Sequence, residues 1–355
     1  MSKMSGKTKM LLIALAIVVL LPIGFLFFRY PMAHIVMPAE RLGTIFGFPI
    51  TNTMLASWWT MLVLIVVSVL ATRKMQFIPS GLQNLLEAGI EFLLGTVEGV
   101  AGRENGRRFF PLVASIFLFI LISNWSGLLP GFGTIGLVNT EHPKVQLKTT
   151  KVAGINVGLL LPNAKENKEE VAPAGGEATA TAGHEASTAA VHEEVAAGEG
   201  EVYGLIDPFF RSANTDLNNT IALAVVAMIL VQYFGISALG ARQYAKKFFN
   251  FKLSFMGMIS GFVGILELVT EFAKIVSFSF RLFGNIFAGE VLLAVMAFLM
   301  PFAAALPFLG LELFVGFIQA VVFAVLVLVF SSLAVMSHGS EHGHEEHGKP
   351  AHETH

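Results

Sequence analysis

Six apolar stretches dominate the chain, and each is close to or beyond the roughly 20 residues that a helix needs to cross a bilayer. They run from Met10 to Phe28, Met54 to Thr72, Phe109 to Leu129, Thr220 to Leu239, Phe255 to Met300 and Phe302 to Met336. The last two exceed a single crossing, and Pro301 separates them because proline cannot extend the hydrogen-bond ladder of the preceding helix. They read as an antiparallel hairpin of long, tilted helices. An apolar content of 54% with only 14% charged residues and a mean hydropathy of +0.69 is more than one soluble core consumes, so the excess faces lipid. The expected fold is an all-α integral membrane protein with five to six transmembrane helices and one amphipathic interfacial helix.

Positive charge beside each run sets the expected sidedness, since Lys and Arg stay on the cytoplasmic side. Lys3, Lys7 and Lys9 precede the first run, Arg73 and Lys74 follow the second, Arg103, Arg107 and Arg108 precede the third, and Arg242, Lys246 and Lys247 follow the fourth. All these clusters fall inside if every run spans once, which puts the carboxyl terminus in the cytoplasm. The first run fits two readings, an uncleaved anchor and a cleaved secretory signal. The expected organisation is an amino-terminal signal or anchor with an outer linker over 1–50, then transmembrane helices over 51–136. An acidic outer insert covers 137–205, the translocation hairpin with its preceding helix 206–336, and a histidine-rich tail 337–355.

Between the second and third runs, Leu82, Leu86, Leu93, Val97 and Val100 recur at helical spacing, while Glu87, Glu91 and Glu98 share another face. Residues 80–101 are thus expected to form the interfacial helix, with Ser80 and Gln83 as a capping box. Its acidic face suits a protein neighbour better than anionic lipid. The outer insert is rich in Ala, Gly, Glu and Thr and poor in aromatics, so burial cannot repay its ordering entropy. Six histidines in the tail offer no fixed geometry, and no metal site or cofactor is expected.

Several function classes fall away. The chain has no cysteine, which excludes disulfides and thiolate chemistry, and a net charge of -2 supplies no basic field for nucleic acid. It contains no GxxxxGK[ST], HExxH or nucleophile-elbow motif, so no enzyme acting by itself is expected.

What remains is the charge inside the fifth run. Glu267, Glu271, Lys274, Arg281, Asn285 and Glu290 interrupt otherwise apolar sequence. An arginine at mid-membrane costs about 2.5–3.5 kcal/mol even on the lenient insertion scale, so such residues mark function by default. At about 100° per residue, Glu267, Lys274 and Arg281 share one stripe, with Asn285 some 40° beyond. The helical neighbours of Arg281 three and four residues away are Ser277, Phe278, Gly284 and Asn285, none of them a carboxylate. Glu290 lies about 14 Å along the axis and on the opposite side, so the partner of Arg281 must belong to another helix or another chain. In the sixth run Glu312 and Gln319 share a face, and Gly310, Gly316 and Ala320 permit close helix approach. A hairpin at Pro301 brings Glu290 and Glu312 to similar depth, and paired carboxylates in a membrane suggest a proton relay.

These residues stand in a recognisable series. SFRLFGNIFAGEVL, from Ser279 to Leu292, closely resembles the signature segment of subunit a of F-type ATP synthases. Glu267 and Lys274 stand at that family's spacing before the arginine, Gln319 in FIQAVVFAVL matches its last helix, and Asn124 in ISNWSGLLP an earlier one. Asp216, Asn218 and Thr220 in NTDLNNT match the start of the fourth, and the likeness extends from about Asn52 to Met336. The resemblance implies the stationary, ion-conducting subunit of a rotary ATP synthase in a bacterial inner membrane. Arg281 would face a ring of c subunits. Asn124, Asp216, Asn218, Glu290, Glu312 and Gln319 would line the outer half-channel, and Glu267 and Lys274 would border the inner one. A b-subunit stalk and a soluble ATPase head would complete the complex and hold the nucleotide chemistry. Some family members carry histidine where Glu312 stands and aspartate where Gly127 stands. A proton-coupled secondary transporter is the rival reading, but it predicts inverted repeats and broken helices that this sequence does not show.

Overall fold

The computed structural model describes residues 37–73, 81–129, 132–139, 145–152, 155–159, 201–248, 255–299 and 305–336. The first apolar run, Ser80, the Pro301 turn, most of the acidic insert and the histidine tail lie outside these. In chain order the helices are α1 (Asn52–Thr72), α2 (Leu82–Ala101), α3 (Arg103–Gly127), α4 (Leu217–Leu239), α5 (Ala241–Phe248), α6 (Phe255–Leu299) and α7 (Ala305–Val335). Among them α1, α3, α4, α6 and α7 are long and apolar enough to cross a membrane, as the apolar runs predict.

Local chemistry sets the helix ends. At the start of α1, Asn52 Oδ1 accepts from the Thr53 amide at 2.9 Å and Thr51 Oγ1 from the Met54 amide at 3.4 Å, which satisfies donors that lack helical partners. Two helix pairs are joined by a single glycine with positive φ, Gly102 (74°) between α2 and α3 and Gly240 (81°) between α4 and α5. A side chain is strained in that conformation, so glycine ends one helix and lets the next begin at once. The capping box expected at the start of α2 involves Ser80, which lies outside the described residues; Gly81 directly precedes the helix, and the Gln83 side chain donates to Glu87 at 2.7 Å. Helix α3 starts six residues before the apolar run, so Arg103, Arg107 and Arg108 lie within it and Arg107 reaches Glu98 at 3.1 Å.

Six short strands accompany the helices among the described residues. A hairpin of β1 (Arg41–Ile45) and β2 (Phe48–Thr51) leads into α1. Strands β3 (Ile135–Asn139), β4 (Val145–Val152), β5 (Ile155–Leu159) and β6 (Glu201–Pro208) form an antiparallel sheet closed in the order β3-β5-β4-β6. Composition gave no warning of this sheet, of which β4 and β5 lie within the region read as an acidic insert and β3 and β6 overlap its two ends.

The chain divides into two compact units, one comprising Met1–Leu62, Ile122–Asp216 and Gly284–Phe317, the other Val63–Leu121, Leu217–Phe283 and Ile318–His355. In the first, the buried residues include Asn52, Thr53, Thr60, Asn124, Arg211, Asn214, Asp216 and Glu312. The core of the second is apolar and includes Phe109, Val113, Ile120, Met228, Phe278, Leu282, Phe323 and Leu328.

Candidate functional site

Burying a polar group is costly unless it finds a partner, and the first unit meets that condition with a connected set of bonds. Asn124, near the end of α3, donates through Nδ2 to the Gly316 carbonyl at 3.1 Å and accepts through Oδ1 from Asn214 at 2.7 Å. The approach is close enough to favour glycine, since a Cβ at position 316 would come within 3.1 Å of Asn124 Cβ. Next to it, Trp125 Nε1 donates to the Leu313 carbonyl at 3.1 Å. Asp216, just before α4, accepts from the Thr53 hydroxyl at 2.9 Å.

Glu312 is buried on α7 with its carboxylate over the α-carbon of Gly289, where a Cβ would stand 1.9 Å from Oε2. Any larger residue at 289 would have to displace that carboxylate. Glu290 is held differently. Nε of the buried Arg211 donates to both of its carboxylate oxygens, at 3.0 and 3.1 Å, and the guanidinium also lies over the Phe287 ring, 5.9 Å from its centroid. Such a charge-assisted, shared bond fixes the carboxylate's direction as well as its charge. Glu40, ahead of β1, accepts from Asn52 Nδ2 at 3.2 Å. Burial, reinforced by the carboxylates of Asp207 and Glu290 and opposed by Arg211, pushes Glu40 up to about 7. Gly127, the position of an aspartate in some members of the resembled family, lies against Ser212, whose Cβ would be 2.7 Å from a Cβ there.

The second unit has its own network. Lys274 donates to Glu271 Oε1 at 2.6 Å and lies 4.5 Å from the centre of the Phe330 ring, while Gln232 donates to Glu271 Oε2 at 2.8 Å. Tyr244 donates in turn to Gln232. It rests on Gly235, where a Cβ would come within 2.5 Å of its ring. Burial and then the charges of Glu271 and Glu267 push the Tyr244 phenol up to about 12, so it remains a donor. Glu271 thus carries the ion pair with Lys274, a role the stripe argument did not assign. Glu267 is half-buried, Gln319 is buried and Asn218 is exposed; Asn285, in the first unit, is exposed as well.

Arg281 differs from these cations. It is exposed, its bond to Ser277 is 3.5 Å long, and no carboxylate among the described residues forms an ion pair with it. The sequence argument that its helical neighbours offer no countercharge agrees with this geometry.

The pattern has a counterpart among known proteins, since the profile described as ATP synthase A chain matches residues 54–332. The chain belongs to that family. It is 30% identical to ATP synthase subunit a of Moorella thermoacetica over 309 residues, which cover 86% of this chain and all of the relative. It is likewise 30% identical to ATP synthase subunit a of Gloeobacter violaceus over 291 residues, 82% of this chain and 86% of that one. As a family member with five span-length apolar helices among the described residues, this chain is a multi-pass membrane protein.

Sequence reasoning missed Arg211, Glu40, Asn214, Gln232 and Tyr244. Arg211 lies outside every apolar run, where an arginine costs nothing and draws no notice. A period-two pattern in VQLKTTKV, from Val145 to Val152, was the available signal for the sheet that precedes it.

Proposed function

We propose that this chain is the stationary ion-conducting subunit of a rotary ATP synthase, set in a bacterial inner membrane with its carboxyl terminus in the cytoplasm. Asn124, Asp216, Asn218, Glu290, Glu312 and Gln319 serve the outer half-channel, Glu267 and Lys274 the inner one, and Asn285 takes part in the same proton translocation. Arg281 meets the membrane carboxylates of a c ring, and the complex includes a b stalk and an ATPase head that performs the catalysis. The carrying observation is Arg281, an exposed membrane-helix cation without a carboxylate partner among the described residues. Lipid cannot be its surroundings without a cost of several kcal/mol, so a partner with negative charge must cover it.

At about 4 Å and an effective dielectric near 20, that attraction is worth roughly 4 kcal/mol, enough to hold a passing carboxylate ionised. Removing it would let protons cross between half-channels without turning the ring. In membranes carrying the whole complex, Arg281→Ala is therefore expected to abolish ATP synthesis and open a passive proton leak. Near-normal synthesis by that variant overturns the reading.

A further inference from the structure

In the second unit, the half-channel assignment uses Lys274 but leaves Glu271, Gln232 and Tyr244 without a task. The Glu271–Lys274 pair is largely withdrawn from solvent, with side chains 16% and 21% exposed. A pair so placed holds well only when the remaining lone pairs are met. Here each carboxylate oxygen has a donor, Lys274 Nζ at 2.6 Å on Oε1 and Gln232 Nε2 at 2.8 Å on Oε2. The Phe330 ring faces the ammonium, its centroid 4.5 Å away, and is itself in edge contact with Phe278 at 5.6 Å between centroids. An amide can face either way, and this one is set from both ends. A carboxylate only accepts, so the Gln232 nitrogen faces Glu271 and its oxygen faces Tyr244, which donates to it. Tyr244 is buried, and that burial, with the charges of Glu271 and Glu267, pushes its phenol up to about 12, so it keeps the proton it donates. Its ring is seated over Gly235, where a Cβ would come within 2.5 Å of it and 3.1 Å of the Ala334 carbonyl.

We propose that Tyr244 and Gln232 are positioning residues for Lys274: the phenol sets the Gln232 amide, the amide holds Glu271, and Glu271 holds the ammonium in one place. The inference rests on the reading of Lys274 as part of the inner half-channel, and deepens it. Neither Tyr244 nor Gln232 touches the moving proton. A lysine on its flexible four-carbon stem is a mobile charge, and a cation that swung along the path would change the barrier each proton meets. Held between a carboxylate and an aromatic face, it presents the same field to every proton that passes. The Tyr244 hydroxyl thus acts through three hydrogen bonds on the charge it steadies. It does so from α5, a helix of eight residues that is too short to span.

The test uses the assembled complex in membrane vesicles treated with acetic anhydride, and reads acetylation of Lys274 by mass spectrometry beside ATP-driven proton pumping. Glu271→Gln, which removes the charge paired with Lys274, sets the upper limit of labelling. Tyr244→Phe keeps the ring on Gly235 and removes only the hydroxyl. It is expected to raise Lys274 labelling and to lower pumping, each roughly threefold, with assembly intact. Gln232→Leu should do at least as much, and adding Tyr244→Phe to it should change nothing further, because the phenol acts through the amide. Labelling unchanged in Tyr244→Phe overturns the proposal and is the result that a packing role alone predicts, since the ring is retained. A double variant in which the two losses multiply overturns it as well. Should Gln232→Leu complexes fail to assemble, the labelling of Tyr244→Phe decides alone. Arg281→Ala in parallel separates the two ideas, since ATP synthesis that survives there refutes the underlying function. An inactive Arg281→Ala beside an unaltered Tyr244→Phe refutes only the positioning role.

Discussion

Around Asn124 and Asp216 the first unit buries mostly polar side chains, and Ala56, Ala213 and Ile286 are its buried apolar ones among the described residues. The second closes over Phe109, Val113, Ile116, Ile120, Met228, Val231, Phe323 and Leu328, with Thr220, Ser279, Gln319 and Ser331 as its buried polar ones. Apolar packing between membrane helices stabilises mainly through van der Waals contact, because lipid removes the gain of leaving water. A buried polar network contributes little net stability, yet loses much when one member is removed. The second unit's buried interior is therefore mostly apolar packing, beside which Glu271 and Lys274 form a half-buried pair, whereas the first unit's interior is a polar network held at some cost to stability. A separate contrast divides the cations, since Arg211 and Lys274 are paired with carboxylates whereas Arg281 is exposed with no ion pair among the described residues.

The sharpest way to break this comparison is to make the same change at two arginines. Lysine keeps the charge but not the planar fork. Arg281→Lys is expected to lose nearly all ATP synthesis, whereas Arg211→Lys, whose task is to hold one carboxylate, should retain a measurable share. Equal losses in vesicle assays would mean that the outward arginine is nothing special.

Next in size is the asymmetry of the Arg211–Glu290 pair, in which the arginine side chain is 8% exposed and the glutamate 41%. Glu290→Leu strands a buried guanidinium and should cost about 3–5 kcal/mol. Arg211→Leu leaves a carboxylate still reachable from outside the chain and should cost less. Thermal denaturation of the purified complex ranks the two, and a reversed order would contradict the burial argument.

A smaller effect probes the polar network itself. Thr53→Val preserves shape but removes the buried Thr53 hydroxyl's bond to Asp216, and is expected to cost roughly 1–3 kcal/mol. A change of the same kind at Ser332 in the second unit, a half-buried hydroxyl that donates only within its own helix to the Leu328 carbonyl at 3.0 Å, should be nearly silent by the same measurement.

The smallest effect is a slope. Glu40 titrates near 7 in the folded chain against 4.5 as its ordinary value, so between those limits the folded form binds more protons than the unfolded. Stability then falls as pH rises through that window. Glu40→Gln removes the slope and should raise the melting temperature relative to the unmodified protein above pH 7, with no such gain below 4.5.

How much of this was legible depends on whether the signal is local. The five described spans could be read to within about six residues because hydropathy accumulates along contiguous sequence; Leu217–Leu239, for example, begins three residues before the apolar run. The isolation of Arg281 was legible too, because helical spacing alone fixes which residues can reach it. Asn214 meeting Asn124 was not, since nothing in either segment specifies a contact made 90 residues apart. Glu40 and Arg211 escaped for a related reason: both lie outside the apolar runs, where charge is ordinary. The pairing of Lys274 with Glu271 was within reach as an i,i+3 contact, but attention to the stripe through Glu267 hid it.

The seat of Glu312 over Gly289 has a consequence for heredity. Position 289 gives up its whole side-chain volume to position 312, so the two behave as a single allotment of space that can be divided in more than one way. Bulk gained at 289 has to be met at 312, by swinging the carboxylate aside or by a shorter residue there, so a lineage that lost the glycine would move or lose that carboxylate. The two positions, 23 apart in the chain, thus share one volume.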